Sequence, residues 1–388
     1  MPTAATTATL AIDGGQPVSP TMVPFMKPQL HQQDIDAAHA VLESGMLRAA
    51  TRCAELEERF ATISDARHSL TCSNGTAALQ LAYAALFSPG DEILVPAWTF
   101  IATATMIVAA GCTPVFVDCL EDTFQMDPED AAKKITPKTR GIAATHLYGC
   151  PVDINAFQAL ATKHDLKVVY DAAQAHLARY DGKGLGAFGD VVTYSFYATK
   201  NLGTGEGGLV TTNDDAIARD IALLRSHGET EKYLHERIGF NYRMNDITGA
   251  IGCSRLDRLP QETAARQAAA KRFDAILAEI EGLDAPTITA TAEPAWHLYT
   301  VKFDPTQFTC TRDRFIDTLK AEGVPTAVHY PRATSDQPAL AQWNKNDTPV
   351  SSGLTSRVFS LPMHHALTDE HFDTIAKAMS KVAGAYRG

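Results

Sequence analysis

The sequence predicts an α/β protein with a mostly parallel central sheet flanked by helices, followed by a smaller α+β domain. Three observations predict it. Between about residues 30 and 255, short β-branched apolar runs alternate with segments of helical periodicity, the pattern of parallel strands joined by covering helices. After about residue 256 the stretch "QETAARQAAAKRFDAILAEIEGL" reads as one long helix leading away from that alternation, and the strands and helices beyond it alternate less regularly. The chain has 388 residues, 45% hydrophobic and 20% charged, ample for two lobes of an ordinary globular protein. The expected division is an N-terminal arm (1–29) with its first ten residues loosely held, a large domain (30–255) and a small C-terminal domain (256–388).

The strands are read from β-branched and aromatic content: "EILVP" (92–96), "TPVFVDC" (113–119), "GIAATHLYG" (141–149), "LKVVYDAA" (166–173), "VVTYSFY" (191–197) and "GGLVTT" (207–212). Between them, "GTAALQLAYAALF" from Gly75 carries apolar residues at helical spacing, and "DINAFQALATKHD" opens on Asp153 as a cap. In the C-terminal part, "HLYTVKF" and "PTAVHYP" read as short strands, and "RDRFIDTLKAEG" and "TDEHFDTIAKAMSKVAGAY" as helices. There is no internal repeat.

Composition removes several classes of function. Lysine plus arginine (34) against aspartate plus glutamate (45) gives a net charge of −11, which offers nucleic acid no electrostatic support. Seven cysteines, an odd number without any C-x-x-C pair, suit free buried thiols in a reducing cytoplasm. No signal-peptide pattern opens the sequence and no apolar run is long enough to span a membrane, so a cytoplasmic protein without membrane contact is expected. The histidines lack metal-ligand spacing, so no metal is expected. Two G-x-G-x-x-G matches, at Gly184, Gly186 and Gly189 and at Gly203, Gly205 and Gly208, lack the preceding strand and following helix of a dinucleotide site and read as turns. Neither a Walker loop nor a G-x-S-x-G elbow occurs.

The chemistry-bearing residues cluster at predicted strand ends, where open α/β sheets bind ligands. "SFYATKNLGTGEGGLV" places Lys200 just past a buried strand, where desolvation favours the neutral amine and Schiff-base chemistry; most lysines only solvate a surface. Asp171 in "KVVYDAAQAH" ends another buried strand and needs a positive partner, either an arginine or the protonated ring nitrogen of pyridoxal phosphate. "TCSNGTAALQ" puts Ser73, Asn74, Gly75 and Thr76 at a helix start, which serves equally as a simple cap and as a phosphate site. Ser195 is a further phosphate donor or a buried hydroxyl bonded to backbone. Trp98 in "VPAWTFIATA" is either a core residue or a ring lying on a flat cofactor.

Together "YDAAQA", "SFYATKN", "GEGG", "CSNGTAAL", "PAWTFIATA", "GFNYRMND" and "VHYP", in order over residues 25 to 380, resemble the DegT/StrS group of pyridoxal-phosphate-dependent sugar aminotransferases. That resemblance implies the fold-type I architecture and pyridoxal 5'-phosphate as cofactor. It implies that Lys200 carries the cofactor, that Asp171 partners its ring nitrogen and that Gln174 lies near its phenolic oxygen. It further implies Trp98 stacking on the ring, Gly75, Thr76 and Ser195 on the phosphate, and Asn241 reaching the phosphate of the neighbouring subunit in a homodimer with shared sites. By their position alone, Asn241 and Arg243 are ordinary loop residues.

The implied reaction moves an amino group from L-glutamate or L-glutamine to a keto-sugar, with His329 and Tyr330 lining the substrate pocket. Lysine at position 200, where dehydratase relatives have histidine, points to transamination. "RATSDQ" after Pro331 and Arg48, Ala49 and Ala50 in "ESGMLRAATRC" depart from the family pattern near the acceptor pocket. A nucleotide-linked keto-sugar is the leading expectation. A cyclitol ketone such as an inosose, suggested by the "AIDGG" near the N-terminus, a related dehydration and a non-catalytic cofactor-binding regulator are the alternatives.

Overall fold

The structure, a computed structural model, describes residues 9–387. Seven strands form the central sheet: β1 (His68–Cys72), β2 (Glu92–Pro96), β3 (Thr113–Val117), β4 (Thr139–Thr145), β5 (Lys167–Asp171), β6 (Val191–Ser195) and β7 (Gly208–Thr212). Their order across the sheet is β1-β7-β6-β5-β4-β2-β3, and β7 alone runs against the others. The sheet is covered on both faces, which is why its strands read as continuous apolar runs. On one face Ile93, Val95, Val169 and Val210 pack under the helices Gly75–Leu86, Ala102–Ala109 and Asp215–Arg225. On the other, Leu94, Val168, Tyr170 and Tyr194 pack against Thr51–Ser64, Ile154–His164 and Asp246–Leu256.

A second core is built around Phe273, Tyr299, Phe303, Phe315, Phe359 and Phe372. Its antiparallel sheet consists of β8 (Leu283–Asp284), β9 (Tyr299–Phe303) and β10 (Val358–Leu361), with β9 in the middle. The helices Arg312–Ala321 and Asp369–Tyr386 cover it. The long helix Leu259–Leu277 contributes Leu259 to the first core and Phe273 to the second. We propose that the lobe boundary lies at the start of this helix, close to residue 256.

The expected elements are present with three differences. "HSLTC" lacks the apolar run that marks the other strands; pairing with β7 from His68↔Thr212 to Cys72↔Gly208 makes it β1. "PTAVHYP" is not a strand: only Ala327 bridges Ser360, and the rest leaves the sheet to reach the large lobe. The expectation of a loosely held start falls mainly on residues 1–8, which lie outside the described residues, but Leu10 is buried in the second core. Buried Glu322 accepts hydrogen bonds from Ala11 N at 2.8 Å and Val18 N at 3.0 Å, fastening this segment to the C-terminal lobe.

At one edge of the central sheet the carboxyl ends of β2, β4, β5 and β6 and the start of β7 converge, and the residues following them build the site. The "RMND" run serves this scaffold. Asn245 caps the helix Asp246–Leu256, while the carboxylate of Asp246 accepts from Ala50 N (2.8 Å), Arg52 N (3.1 Å) and Cys53 N (2.9 Å) at the start of Thr51–Ser64. Against the desolvation of burial, these bonds hold its carboxyl below the ordinary carboxylate range. Its stabilisation is therefore complete above the unfolded-state value and is lost as pH falls through the lower folded value. Asp246→Ala is expected to cost about 1–3 kcal/mol at neutral pH. The deficit, followed by urea unfolding, should narrow as pH falls below about 4.

Candidate active site

The sheet edge and the C-terminal lobe enclose a cavity of about 740 Å³. Gly75, Thr76, Asp171, Gln174, Ser195, Lys200, His329 and Tyr330, all expected from the sequence, line it.

At one end is the start of the helix Gly75–Leu86. Asn74 caps it by accepting from Ala77 N at 2.8 Å, and the first backbone amides of a helix have no partner within it. The helix start is pressed against two strand ends. A Cβ on Gly75 would lie 2.6 Å from Ser195 Cβ, and one on Gly208 would lie 2.3 Å from Asn74 O, so both positions require glycine. Amides at a positive helix end beside the Ser195 hydroxyl form an anion cradle.

Asp171 is buried at the end of β5, where its carboxylate accepts from Thr103 Oγ1 (2.7 Å) and Ala173 N (3.0 Å). Burial pushes its carboxyl above the ordinary value; the two hydrogen bonds and the charge of Lys200 oppose that shift. Lys200 follows the loop after β6, and burial lowers its amine from 10.5 to about 8 despite the attraction of Asp171. Among the described residues, no carboxylate lies within ion-pair distance of the Lys200 amine. His329 is pushed down to about 4 by burial and by the Lys200 charge, and buried His297 falls well below its ordinary value for the same two leading reasons. The cavity therefore holds neutral imidazoles beside the Lys200 amine, with buried Asp171 and exposed Glu206 as the carboxyls on its wall.

Gln174 is held at both ends of its amide: Oε1 accepts from Tyr148 N at 2.7 Å, and Nε2 donates to Tyr330 OH at 3.1 Å. Tyr148 OH donates to the His329 carbonyl and accepts from Trp98 Nε1 at 2.9 Å. These bonds tie the substrate-side segment of the C-terminal lobe to the sheet.

Two expected residues are placed elsewhere. Trp98 is only 1% exposed and lies behind the wall, with its ring edge-on to Tyr330 at 5.9 Å. The turn after β2 points Trp98 into the core and leaves Phe100, 55% exposed, as the aromatic of that run on the cavity wall. Asn241 is exposed and is not among the residues lining this cavity, although its neighbour Tyr242 is. Tyr242 O accepts from Ser73 N at 2.7 Å, joining the Asn241 loop to the anion cradle. Sequence reasoning missed Phe100, Thr103, Tyr148 and His297. For Phe100 the signal was present, an aromatic in the same run as Trp98, but the direction of the turn decides between them.

The residues present fit pyridoxal phosphate. A cradle closed to any side chain at Gly75 suits a phosphate, burial lowers the Lys200 amine to about 8 so that a neutral fraction is present near physiological pH, and Asp171 is a buried carboxylate contacted only by neutral donors, lacking the cation its burial calls for. No group of three or more histidine, cysteine or acidic residues able to hold a metal occurs among the described residues.

This fold, with its cavity at the carboxyl ends of the strands, is that of an α/β transferase. The profile of the DegT/DnrJ/EryC1/StrS aminotransferase family matches residues 28–380, and the chain belongs to that family of pyridoxal-phosphate-dependent aminotransferases. It is 37% identical over 349 residues to UDP-2-acetamido-2-deoxy-3-oxo-D-glucuronate aminotransferase of Pseudomonas aeruginosa, covering 89% of this chain and 95% of that protein. It is also 37% identical over 350 residues to dTDP-3-amino-3,4,6-trideoxy-alpha-D-glucose transaminase of Streptomyces venezuelae, covering 88% and 91%. The crystal structure of S. venezuelae DesV superposes with a TM-score of 0.89 at 35% identity, covering 94% of this chain and 99% of that one.

Gly75→Ala forces a methyl into the Ser195 contact and is expected to weaken pyridoxal phosphate binding about tenfold or more, an order of magnitude being about 1.4 kcal/mol. Equilibrium titration of the cofactor-free protein measures this, with near-ultraviolet circular dichroism to verify the fold.

Proposed function

We propose that this protein transfers an amino group from L-glutamate or L-glutamine to the ketone of a nucleotide-linked sugar, with pyridoxal 5'-phosphate carried on Lys200. The observation that carries the reading is the convergence of Lys200, Asp171 and the Gly75–Ser195 cradle on one cavity. The relatives named above, which act on UDP- and dTDP-linked sugars, support the acceptor class.

Bound in the cavity, the cofactor supplies an aldehyde that condenses with amines and a cationic ring that draws electrons from the adjoining carbon. Lys200, with an amine held at about 8, is the nucleophile that anchors it. The same Nζ, when free, would take the proton from the donor's α-carbon. Asp171 would partner the ring nitrogen, and Gly75, Thr76 and Ser195 would hold the phosphate. Phe100 would offer an aromatic face to the ring, and Gln174, donating to Tyr330, would orient it on the acceptor side. His329, neutral near physiological pH, lines the acceptor pocket without adding charge.

We propose further that the protein is a cytoplasmic homodimer in which Asn241 completes the partner's phosphate site. The exposed apolar side chains Ile35, Leu42, Met46 and Leu47 support a covered surface, and no helix among the described residues is long and apolar enough to cross a membrane.

The decisive experiment is spectroscopic. Adding L-glutamate to the loaded protein should bleach its visible absorption, and a UDP- or dTDP-linked keto-sugar should restore it; no bleaching with any amino donor refutes transamination. Lys200→Ala should abolish turnover while still binding the pyridoxamine form, measured by single-turnover assay and equilibrium titration. The rate of loading onto cofactor-free protein should rise with pH through about 8 and then level off, because the amine is protonated below that value and already neutral above it. Without desolvation the rise would continue toward 10.5, the ordinary value of a lysine amine.

A further inference from the structure

Asp171 ends a line of three threonine hydroxyls. Thr103 Oγ1 donates to Asp171 Oδ2 at 2.7 Å, Thr99 Oγ1 lies 3.1 Å from Thr103 Oγ1, and Thr145 Oγ1 lies 2.9 Å from Thr99 Oγ1. All four side chains are buried, Thr103 completely. The fold brings them together: Thr145 ends β4 directly beside Asp171 at the end of β5, Thr99 lies in the turn after β2, and Thr103 is one helical turn beyond it.

Each hydroxyl carries a single proton, and that fixes the direction of the line. A carboxylate only accepts, so the proton of Thr103 is committed to Asp171. Thr103 must then accept from Thr99, and Thr99 from Thr145. Three dipoles consequently point the same way, each strengthening the next among buried side chains. Thr145, its proton spent, presents its remaining lone pairs to the cavity it lines.

We propose that Thr103, Thr99 and Thr145 form a polarised hydroxyl relay that keeps Asp171 ionised, with Thr103 as the positioning residue that acts on it directly. This rests on the reading that Asp171 partners a cationic heterocycle, since a protonated Asp171 could not do so. Backbone bonds hold the relay from both sides. Tyr83 OH donates to Thr103 O at 3.0 Å; from the C-terminal lobe, Thr334 donates through its hydroxyl to Thr99 O at 2.5 Å and through its amide to Ala97 O at 2.7 Å.

The titratable groups facing Asp171 are Lys200, Tyr83 and Tyr330. Burial pushes both tyrosines up, so they stay neutral, and Lys200 is the only cation among the three. Against desolvation of the carboxyl, the Thr103 bond is the largest opposing influence, ahead of the Ala173 amide and the Lys200 charge.

The test reads the carboxyl itself in the full-length, cofactor-free protein. Carbon-13 aspartate labelling with infrared titration follows its protonation, and Asp171→Asn identifies the band. Thr103→Val, which keeps the shape and removes the hydroxyl, should move the midpoint upward by about one pH unit or more. Thr103→Ser should return it close to wild type, and Thr99→Val, which breaks the second link, should give a smaller shift of the same sign. Equal midpoints for Thr103→Val and Thr103→Ser, or no shift in a folded Thr103→Val, would overturn the relay. If Thr103→Val does not fold, Thr99→Val decides, and an unmoved midpoint there overturns it as well. The titration uses neither cofactor nor donor, so failure of the aminotransferase reading would show in the glutamate experiment and leave this result unchanged.

Discussion

The site depends on the cost of burying one amine and one carboxyl without letting them neutralise each other by contact. Desolvation acts on both in the same sense, lowering Lys200 to about 8 and raising Asp171. A direct ion pair would remove both penalties and the reactivity with them. Placement beyond two strand ends keeps each group within reach of the other's field on the wall of one cavity. The rest of the fold supplies what that arrangement requires. The covered sheet excludes water, and the glycines at 75 and 208 let a helix end approach β6 and β7. The reversed strand β7 joins β6 to the edge strand β1.

Much of this was legible because strands buried on both faces announce themselves as unbroken apolar runs. β2 to β7 follow such runs, and Asp171, Ser195 and Lys200 could be placed at strand ends by counting along them. β1 was missed because "HSLTC" owes its conformation to pairing with β7, a partner about 140 residues away. "PTAVHYP" has the right residues for a strand, yet its polar and aromatic groups are claimed by the other lobe through Tyr148 and Gln174.

The site shows the same boundary between local and tertiary information. Position along the chain identified the cradle and the lysine, whereas the choice between Trp98 and Phe100 rests on how a turn is rotated. Thr103 looks like any small residue in a short helix, and only the approach of β5 gives it a carboxylate to bind. Asn241 illustrates the opposite case: its loop is fastened to the cradle by the Ser73 to Tyr242 bond, but the residue itself faces outward, where no single-chain argument can give it a ligand.

The stitching of the two lobes through Tyr148 has a bearing on how such a protein changes its diet. Jaw-like opening would have to break the bonds from Tyr148 to His329 and from Gln174 to Tyr330 in a place where water is scarce to replace them. The vestibule thus behaves as a doorway of fixed width rather than a hinged clamp. On the proposed reading, a change of acceptor would come from exposed residues of the wall such as Phe100, while the bonds behind them stay in place.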